Sequence, residues 1–296
     1  MIDSLRPHEI PGRVAVVSGN GGLAKLVVTS PVSRAEIYAH GAQVTHFQKS
    51  GEPPLLFLSP QSWFAPGKPI RGGVPICFPW FGNRDGEPSH GFARLLEWPL
   101  IHSAVESDGA VTLQFALPVP AGREAWKNLR TEFRVIVGDA LTLELTAAND
   151  GCADPLEIEN CLHTYFHVGD IEAVSITGLR NTGFLDFAGD GGGERKEQSE
   201  AVLRIPAETN RTYLDTAAAV EIRDDQLRRR IRVEKRQSQS TVVWNPWTTQ
   251  KLPDDFAPAD YRRMVCVESG NVRHNKILLA PGQSSTLQVV LRTFPF

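Results

Sequence analysis

His163 and His167 lie four residues apart in a segment whose other members include Thr164, Tyr165 and Phe166. On a helix this spacing suits a metal ion, but the intervening residues favour a strand and include no glutamate of the HExxH type. On a strand, His163 and Tyr165 share one face with His167. His163 could therefore be a zinc ligand, a structural hydrogen-bonding group or a proton-transfer group. The residue types favour proton transfer, because the unperturbed pKa of histidine is about 6.5.

A carboxylate ends the apolar run at residues 264–267. Glu268 stands immediately before Ser269 and Gly270. A glutamate flanked by apolar side chains can have its pKa raised by desolvation and so become a useful base. Carboxylates at strand ends are also common surface residues, so the position alone leaves both interpretations open.

Two arginines lie in a stretch that is rich in glycine, proline and aromatic residues. Arg71 begins its Arg-Gly-Gly motif, and Arg94 ends the nearby Ser89-His90-Gly-Phe-Ala-Arg motif. This composition excludes a regular strand and predicts a long shaped loop. The arginines could hold a phosphate by forked hydrogen bonds, and Trp80 or Phe81 could pack on a sugar ring. The alternative is that both arginines pair with surface carboxylates.

The elements that position these residues are predicted to be strands. Residues 111–117 alternate between apolar and other side chains, and residues 132–146 form two alternating runs around Gly138-Asp139-Ala140, which predicts a hairpin. Short helical turns are expected only at Asp215–Ala219 or Pro258–Arg263. We therefore predict one all-β domain over residues 1–296. Further strand-like runs are present at 35–47, 55–58, 174–176, 231–233, 241–244, 264–268 and 286–292.

Composition excludes several classes of function. The formal net charge of −3 shows no basic excess of the kind that nucleic-acid binding requires. The N-terminus lacks the apolar run of a signal peptide, and no run of 18 apolar residues predicts a membrane span. The four cysteines have no CxxC spacing, which indicates a reducing cytoplasm rather than zinc or disulfides. The glycine-rich segment Gly189–Gly193 and the charged run that follows resemble a mobile surface loop, not a P-loop.

Taken together, these segments resemble the hexose-6-phosphate mutarotase branch of the aldose 1-epimerase family. Seven blocks occur in the family's order and span almost the whole chain, which makes accidental similarity improbable. The blocks are Ala35-Glu36-Ile37-Tyr38 with Gly41-Ala42, Ile70 to Gly82, His90 to Arg94 with Trp98, Leu162 to Phe166, Val243 to Trp247, Val265 to Glu268 with Gly270, and Leu279 to Gly282.

The resemblance implies a large antiparallel β-sandwich, the galactose mutarotase-like supersandwich. It also implies an isomerase that opens and recloses the ring of a hexose 6-phosphate, without metal or cofactor. In the family pattern His163 is the general acid and Glu268 the general base, so a protonated His163 is expected beside an ionised Glu268. Arg71 and Arg94 bind substrate, including its phosphate, and a monomer without membrane or nucleic-acid partners is expected. Ser89 and His90 line the same site.

One position departs from the family pattern. The stretch Glu208-Thr209-Asn210-Arg211 has Asn210 where an aspartate is usual. Asparagine still forms hydrogen bonds with sugar hydroxyls but carries no charge. Substrate choice or turnover could therefore differ.

Two rival functions remain open at the level of sequence. The first is a sugar-phosphate or carbohydrate binding protein on the same scaffold that does not turn its ligand over. The second is a glycosidase or lyase, although a glycosidase normally requires two carboxylates. The motif-bearing segments supply one clear carboxylate, Glu268.

Overall fold

Strands form wherever apolar residues alternate along the chain. A computed structural model describes residues 2–119, 121–151, 154–189 and 192–296. The strands of this part, in chain order, are β1 Val14–Ser18, β2 Ala24–Thr29, β3 Ser33–Tyr38, β4 Gln43–Lys49, β5 Ile76–Cys77, β6 Leu100–Val105, β7 Val111–Ala116, β8 Leu129–Val137, β9 Leu141–Asn149, β10 Leu156–Ile158, β11 Asn160–Leu162, β12 Tyr165–His167, β13 Val174–Thr177, β14 Gly183–Asp186, β15 Glu194–Glu197, β16 Thr209–Tyr213, β17 Val220–Asp224, β18 Arg229–Arg236, β19 Ser240–Asn245, β20 Met264–Asn271, β21 Ile277–Leu279 and β22 Ser284–Pro295.

Helices are short in the described part of the chain. The α-helix α1 covers Ile2–Leu5. The 3-10 helices are Arg6–His8, Asn20–Gly22, Ala93–Leu95, Glu124–Trp126, Ile171–Ala173, Asp260–Arg263 and Arg273–Asn275. None of the helices in these ranges is long and apolar enough to cross a membrane.

Two eight-stranded antiparallel sheets dominate the architecture. The β22 sheet has the order β13-β17-β18-β22-β9-β8-β7-β6. The β20 sheet has the order β15-β14-β16-β19-β20-β11-β5, with β12 also paired to β20. A four-stranded sheet, β1-β2-β3-β4, and the pair β10-β21 complete the structure. The prediction of a large antiparallel β-sandwich is confirmed.

The hydrophobic core is shared by both large sheets. Phe133 and Leu143 of the β22 sheet and Val243 and Val267 of the β20 sheet belong to one cluster of buried side chains. Burying side chains of this size contributes about 1.5–3 kcal/mol each. This continuity supports the prediction of one domain, which stays a prediction.

The predicted hairpin is present and sets the register of the β22 sheet. Val137 pairs with Leu141 across the turn, and Phe133 pairs with Leu145. These four side chains are fully buried. Residues two apart along each strand turn to the core, while the intervening residues face the other side. The alternation seen in the sequence is therefore the burial pattern of the sheet.

Three local predictions were wrong. The run at 55–58 forms only isolated bridges, from Leu56 to Phe166 and from Leu58 to Gly72. Asp215–Ala219 is not a helical turn, because Asp215 has a φ of 56° and its carboxylate binds His274.

The charged run after Gly193 is not a loop throughout, because Glu194–Glu197 pairs with β14. The glycine-rich segment itself lies partly outside the described residues. The other predicted turn forms the 3-10 helix Asp260–Arg263.

Candidate active site

Three adjacent strands of the β20 sheet present their side chains to one cavity. Across these strands Thr212 pairs with Val242, and Val242 pairs with Glu268. In the neighbouring row Asn210 pairs with Trp244. Residues directly opposite each other in antiparallel strands project from the same face of the sheet. The register of β16, β19 and β20 therefore brings these five side chains together.

His163 lies opposite Glu268 because the chain keeps one register across a break between two strands. Leu162 at the end of β11 pairs with Ser269, and Tyr165 at the start of β12 pairs with Cys266. The break between them sets His163 beside Glu268. The His163 Nδ1 and Glu268 Oε1 atoms are 3.4 Å apart.

A glycine allows this close strand pairing. A Cβ atom at Gly270 would lie 2.3 Å from the Asn160 backbone oxygen and 2.9 Å from the Cys161 Cα. Any side chain there would push β11 away from β20. Gly270 therefore helps to hold His163 within reach of Glu268.

His163 is enclosed by aromatic rings. Its imidazole stacks on the Tyr165 ring at 4.7 Å and 10°, and it meets Trp244 edge-on at 6.0 Å. The buried Nδ1 atom has no partner in hydrogen-bond geometry among the residues that the structure describes, although the Glu268 oxygen is near. Burial, followed by His90, Arg94 and Arg71, lowers the pKa of His163 well below 6.5. His163 is therefore a neutral imidazole in the free protein at neutral pH.

Glu268 holds a proton at neutral pH. Its side chain is 1% exposed, and burial raises its pKa to about 8, against the lowering effects of the Cys161 thiol and Arg94. The Cys161 Sγ donates to the Glu268 Oε2 at 3.5 Å. The sequence predicted that desolvation would raise the pKa of Glu268, and the direction found here is the same. The prediction of an ionised Glu268 beside a charged His163 does not hold for the free protein, because burial disfavours both charges.

His90 is a neutral hydrogen-bond donor in the same wall. The Gly82 backbone N–H donates to the His90 Nδ1 at 3.3 Å, so the ring proton resides on Nε2. Burial, with Arg94, Arg71 and Arg273, lowers the pKa of His90 to about 3. The His90 ring lies 5.8 Å from the His163 ring. His90 can thus donate to a sugar oxygen without carrying charge.

Arg71 is fixed by a carboxylate that the sequence did not indicate. Its Nε and Nη2 donate to the two oxygens of Asp255, each at 3.3 Å, and its Nη1 donates to the Tyr165 hydroxyl at 3.4 Å. Asp255 is fully buried. Forked pairing of this kind fixes the plane of the guanidinium. Arg71 therefore offers an oriented group whose charge is balanced by Asp255.

Arg94 is not among the residues that line the cavity. Its Nη2 donates to the Ser89 backbone oxygen at 2.7 Å, and its buried Nε has no hydrogen-bond partner among the described residues. Its charge still lowers the pKa values of Glu268, His90 and His163. Arg94 thus holds the Ser89 loop and acts on the site through its charge.

The cavity has a volume of about 350 Å³, within the range of small-molecule sites. Of the seven residues expected at the site, the structure brings six together in its lining and leaves out Arg94. Trp80 also lies elsewhere, in the wall of a neighbouring cavity, whereas Phe81 lines both. The lining residues are Arg71, Phe81, Gly82, Asn83, Ser89, His90, His163, Tyr165, Phe187, Asn210, Thr212, Val242, Trp244, Gln250, Leu252, Glu268 and Arg273.

Several residues of the site were missed in the sequence. Trp244 and Tyr165 occur in matched motifs, so the motifs could have indicated them. Arg273 lies just beyond the motif that contains Glu268, and Asp255 lies in a loop without periodicity. No local sequence pattern indicates that Arg273 or Asp255 belongs to the site.

The site also contains three groups that could ligate a soft metal ion. The ligand atoms of His163, Cys266 and Glu268 lie within 4.8 Å of one another. Burial, with Glu268, raises the pKa of the Cys266 thiol well above its usual value. Metal binding would therefore require the release of protons from both Cys266 and Glu268.

The fold and the paired acid–base groups define a β-sandwich sugar isomerase of the mutarotase class. A family model described as aldose 1-epimerase matches residues 25–292. The chain belongs to the aldose 1-epimerase family, as its motifs predicted. It is 32% identical to a candidate glucose-6-phosphate 1-epimerase of Cenchrus ciliaris, over 95% of this chain and 88% of that protein.

Other relatives agree with this assignment. A candidate glucose-6-phosphate 1-epimerase of Escherichia coli is 34% identical, over 82% of each chain. The crystal structure of a candidate mutarotase, YeaD, from Salmonella typhimurium superposes with a TM-score of 0.84 at 29% identity. That alignment covers 96% of this chain and 97% of the other.

Proposed function

We propose that this protein interconverts the α and β anomers of a hexose 6-phosphate, with glucose 6-phosphate as the first substrate to test. The observation that carries the proposal is the His163–Glu268 pair, 3.4 Å apart in a cavity of sugar size. The family, and the description of the relatives as candidate glucose-6-phosphate 1-epimerases, support the same reaction.

The charges of the lining residues favour an anionic sugar. Arg71 and Arg273 are its cationic residues, and Glu268 is its one carboxylate among the described lining residues. Because Glu268 is protonated at neutral pH, the lining carries net positive charge before substrate binds. A phosphate group balances that charge.

The reaction needs a base at O1 and an acid at O5. Glu268 takes the proton of the C1 hydroxyl while the C1–O5 bond breaks, and His163 gives a proton to O5. The product is the open-chain aldehyde with a free O5 hydroxyl. After rotation about the C1–C2 bond, O5 attacks the other face of the aldehyde, His163 recovers its proton and Glu268 returns its own. Positioned proton transfer of this kind contributes about 10² to 10⁴ in rate.

One proton on the pair is enough for this cycle. In the free protein that proton resides on Glu268, and the reactive form has it on His163 instead. The 3.4 Å separation brings the two groups close enough for such an exchange, directly or through the substrate hydroxyl. The form with the proton on Glu268 and the form with the proton on His163 have the same net charge. A change in pH therefore alters the total population of these two forms but not the ratio between them.

The same lining argues against a glycosidase. Cleavage of a glycosidic bond normally uses two carboxylates that flank the bond. The described part of the lining offers only Glu268.

The test is anomer exchange of α-glucose 6-phosphate, followed by NMR or polarimetry. The wild-type protein is expected to accelerate exchange, and His163→Ala and Glu268→Gln are each expected to lose about 10³-fold in kcat. Glu144→Gln is the control, because this half-buried strand glutamate lies in the β22 sheet. Wild-type rates in both site variants would refute the assignment. Tight binding without any exchange would show a binding protein instead.

A cytoplasmic location and a monomeric state stay predictions from the sequence. Sedimentation at micromolar protein concentration would test the second.

A further inference from the structure

Three buried side chains with different ligand atoms converge at the acid–base pair. A ring nitrogen of His163, the Sγ of Cys266 and a carboxylate oxygen of Glu268 all lie within 4.8 Å of one another. Each of these three residues is more than nine-tenths buried. The packing of the protein therefore holds nitrogen, sulfur and oxygen ligands together as one preformed group.

The register of the β20 sheet brings Cys266 into this group. Cys266 and Glu268 lie two residues apart on β20, so their side chains project from the same face of the sheet. Cys266 pairs with Tyr165 on one side and with Trp244 on the other, and both of these residues line the cavity. The fully buried thiol of Cys266 therefore lies on the cavity side of the sheet.

The hydrogen bonds around the group leave the electron pairs that a metal ion would need. The buried Nδ1 of His163 has no partner in hydrogen-bond geometry within the described part of the chain. Glu268 accepts the Cys161 thiol at Oε2, which leaves Oε1 toward the His163 Nδ1 at 3.4 Å. A buried polar atom without a partner is costly, and a cation bound at this nitrogen would remove the cost.

The distances in the group suit a tetrahedral ion. Zinc binds nitrogen and oxygen at about 2.0–2.2 Å and thiolate sulfur at about 2.3 Å, so neighbouring ligand atoms lie roughly 3.3–3.6 Å apart. The 3.4 Å between His163 and Glu268 has this value, and the Cys266 sulfur is near enough to complete the set by a small movement. A thiolate, a carboxylate and a divalent cation are neutral together, as burial requires. The fourth position would face the cavity, because His163 and Glu268 both line it.

We propose that His163, Cys266 and Glu268 form an inhibitory site for a thiophilic divalent cation such as Zn²⁺ or Cd²⁺. The cation replaces the protons of the Cys266 thiol and the Glu268 carboxyl, which pass to solvent, and the His163 ring supplies the electron pair of Nδ1. It thereby occupies the atoms that would exchange protons with the sugar, so it acts as an inhibitor and not as a cofactor. The cation site stands without the proposed function, whereas its inhibitory effect rests on that function.

Binding is tested by titrating the metal-free protein with Cd²⁺ and recording the ultraviolet charge-transfer band of a cadmium–thiolate bond. The wild type is expected to show this band, and Cys266→Ala is expected to lose it. Glu268→Gln retains the thiol and should keep the band, but it should bind on the order of 100-fold more weakly, because loss of an outer partner alone costs about 10- to 100-fold. A band of wild-type strength and affinity in Cys266→Ala, or unchanged affinity in Glu268→Gln, would overturn the site.

The other cysteines supply the matched controls for the binding experiment. Cys77→Ala removes a fully buried thiol outside the group, and Cys161→Ala removes the thiol that donates to Glu268. Cys152→Ser removes the cysteine that lies outside the described residues. All three variants should retain the band. Its loss in any of them, with retention in Cys266→Ala, would assign the cation to a different thiol and refute the proposal.

Inhibition is tested as the Cd²⁺ concentration that halves the rate of glucose 6-phosphate exchange, each variant being compared with its own rate without metal. Cys266→Ala should raise that concentration on the order of 100-fold, whereas Cys77→Ala should leave it unchanged. Mg²⁺, which prefers oxygen ligands in octahedral geometry, should not inhibit at the same concentration. Unchanged inhibition in Cys266→Ala, or loss of exchange when a chelator removes metal, would overturn the inhibitory role.

The failure of the proposed function would be recognised separately. If the metal-free wild-type protein accelerates no anomer exchange, the proposed function fails, and the inhibitory role fails with it. The charge-transfer titration still decides the cation site, because it measures the bond to Cys266 and needs no activity. A band that depends on Cys266 would support the site in that case, and the absence of a band in the wild type would overturn it.

Discussion

The two large sheets have the same number of strands, but their central strands differ in their patterns of burial. In β8 of the β22 sheet, buried residues alternate with more exposed ones along all nine positions. In β20 of the β20 sheet, all eight residues are buried, and Glu268, Ser269 and Asn271 are among them. An antiparallel sheet can have one face in the core and the other in water, and the first pattern is of that kind.

The difference shows where the molecule carries chemistry. The face of the β20 sheet that points away from the core is covered by loops that contribute Arg71, His90 and Gln250. Polar side chains on that face are therefore shielded from water although they lie outside the hydrophobic core. Buried polar groups without full pairing are costly, and they are retained where they serve a function. The β22 sheet holds the structure together, and the β20 sheet holds the reacting groups.

The largest expected effect on stability lies in the β22 sheet. Phe133 is fully buried and packs edge-on against Trp98. Phe133→Ala should lower the free energy of unfolding by about 3–5 kcal/mol while kcat stays within about twofold, measured by urea denaturation and exchange assays. Arg134→Ala, on the other face of the strand, should change it by less than about 0.5 kcal/mol. A large loss of kcat in folded Phe133→Ala protein would erase the division between the two sheets.

In the β20 sheet, substitution of a reacting group should raise stability while it lowers activity. Glu268 has a pKa of about 8 in the folded state and about 4.5 when unfolded, so the folded state binds more protons between these values. Stability from this group is therefore full below about pH 4.5 and is lost as the pH rises toward 8. Glu268→Gln should remove this loss and raise the free energy of unfolding by about 2–4 kcal/mol at pH 8, with a smaller gain at pH 5. Thermal unfolding at both pH values measures it, and a gain that is larger at pH 5 would contradict burial of the carboxylate as the cause.

The pH dependence of the rate should reflect the same pair. Activity requires one proton shared by His163 and Glu268, so kcat/KM should follow a bell-shaped curve. Its alkaline limb should lie near pH 8, where Glu268 loses its proton, and its acid limb below pH 6.5, where the pair gains a second one. Each limb should fall about tenfold per pH unit. An alkaline limb near pH 6.5 would contradict the raised pKa of Glu268.

The sequence predicted the β22 sheet better than the β20 sheet. The run that ends at Val137 and the run that begins at Leu141 alternate with period two. They do so because the β22 sheet has one face in the core and the other toward solvent. In β19 and β20 every residue is buried, so periodicity carries little information there and the motifs supplied the prediction. The bridges at Leu56 and Leu58 were mistaken for a strand because an apolar run does not reveal whether a partner strand lies beside it.

The amino-acid sequence alone was enough to establish the all-β architecture and the family, and it indicated His163 and Glu268. These depend on local periodicity, on residue chemistry and on motifs that can be recognised without coordinates. The folded structure was needed to show that burial raises the pKa of Glu268 and lowers that of His163, that Arg71 is paired with the buried Asp255 and that Arg273 belongs to the cavity lining. Such features cannot be found in a local pattern, because pKa values and charge pairing depend on burial and on neighbours that folding brings from distant parts of the chain.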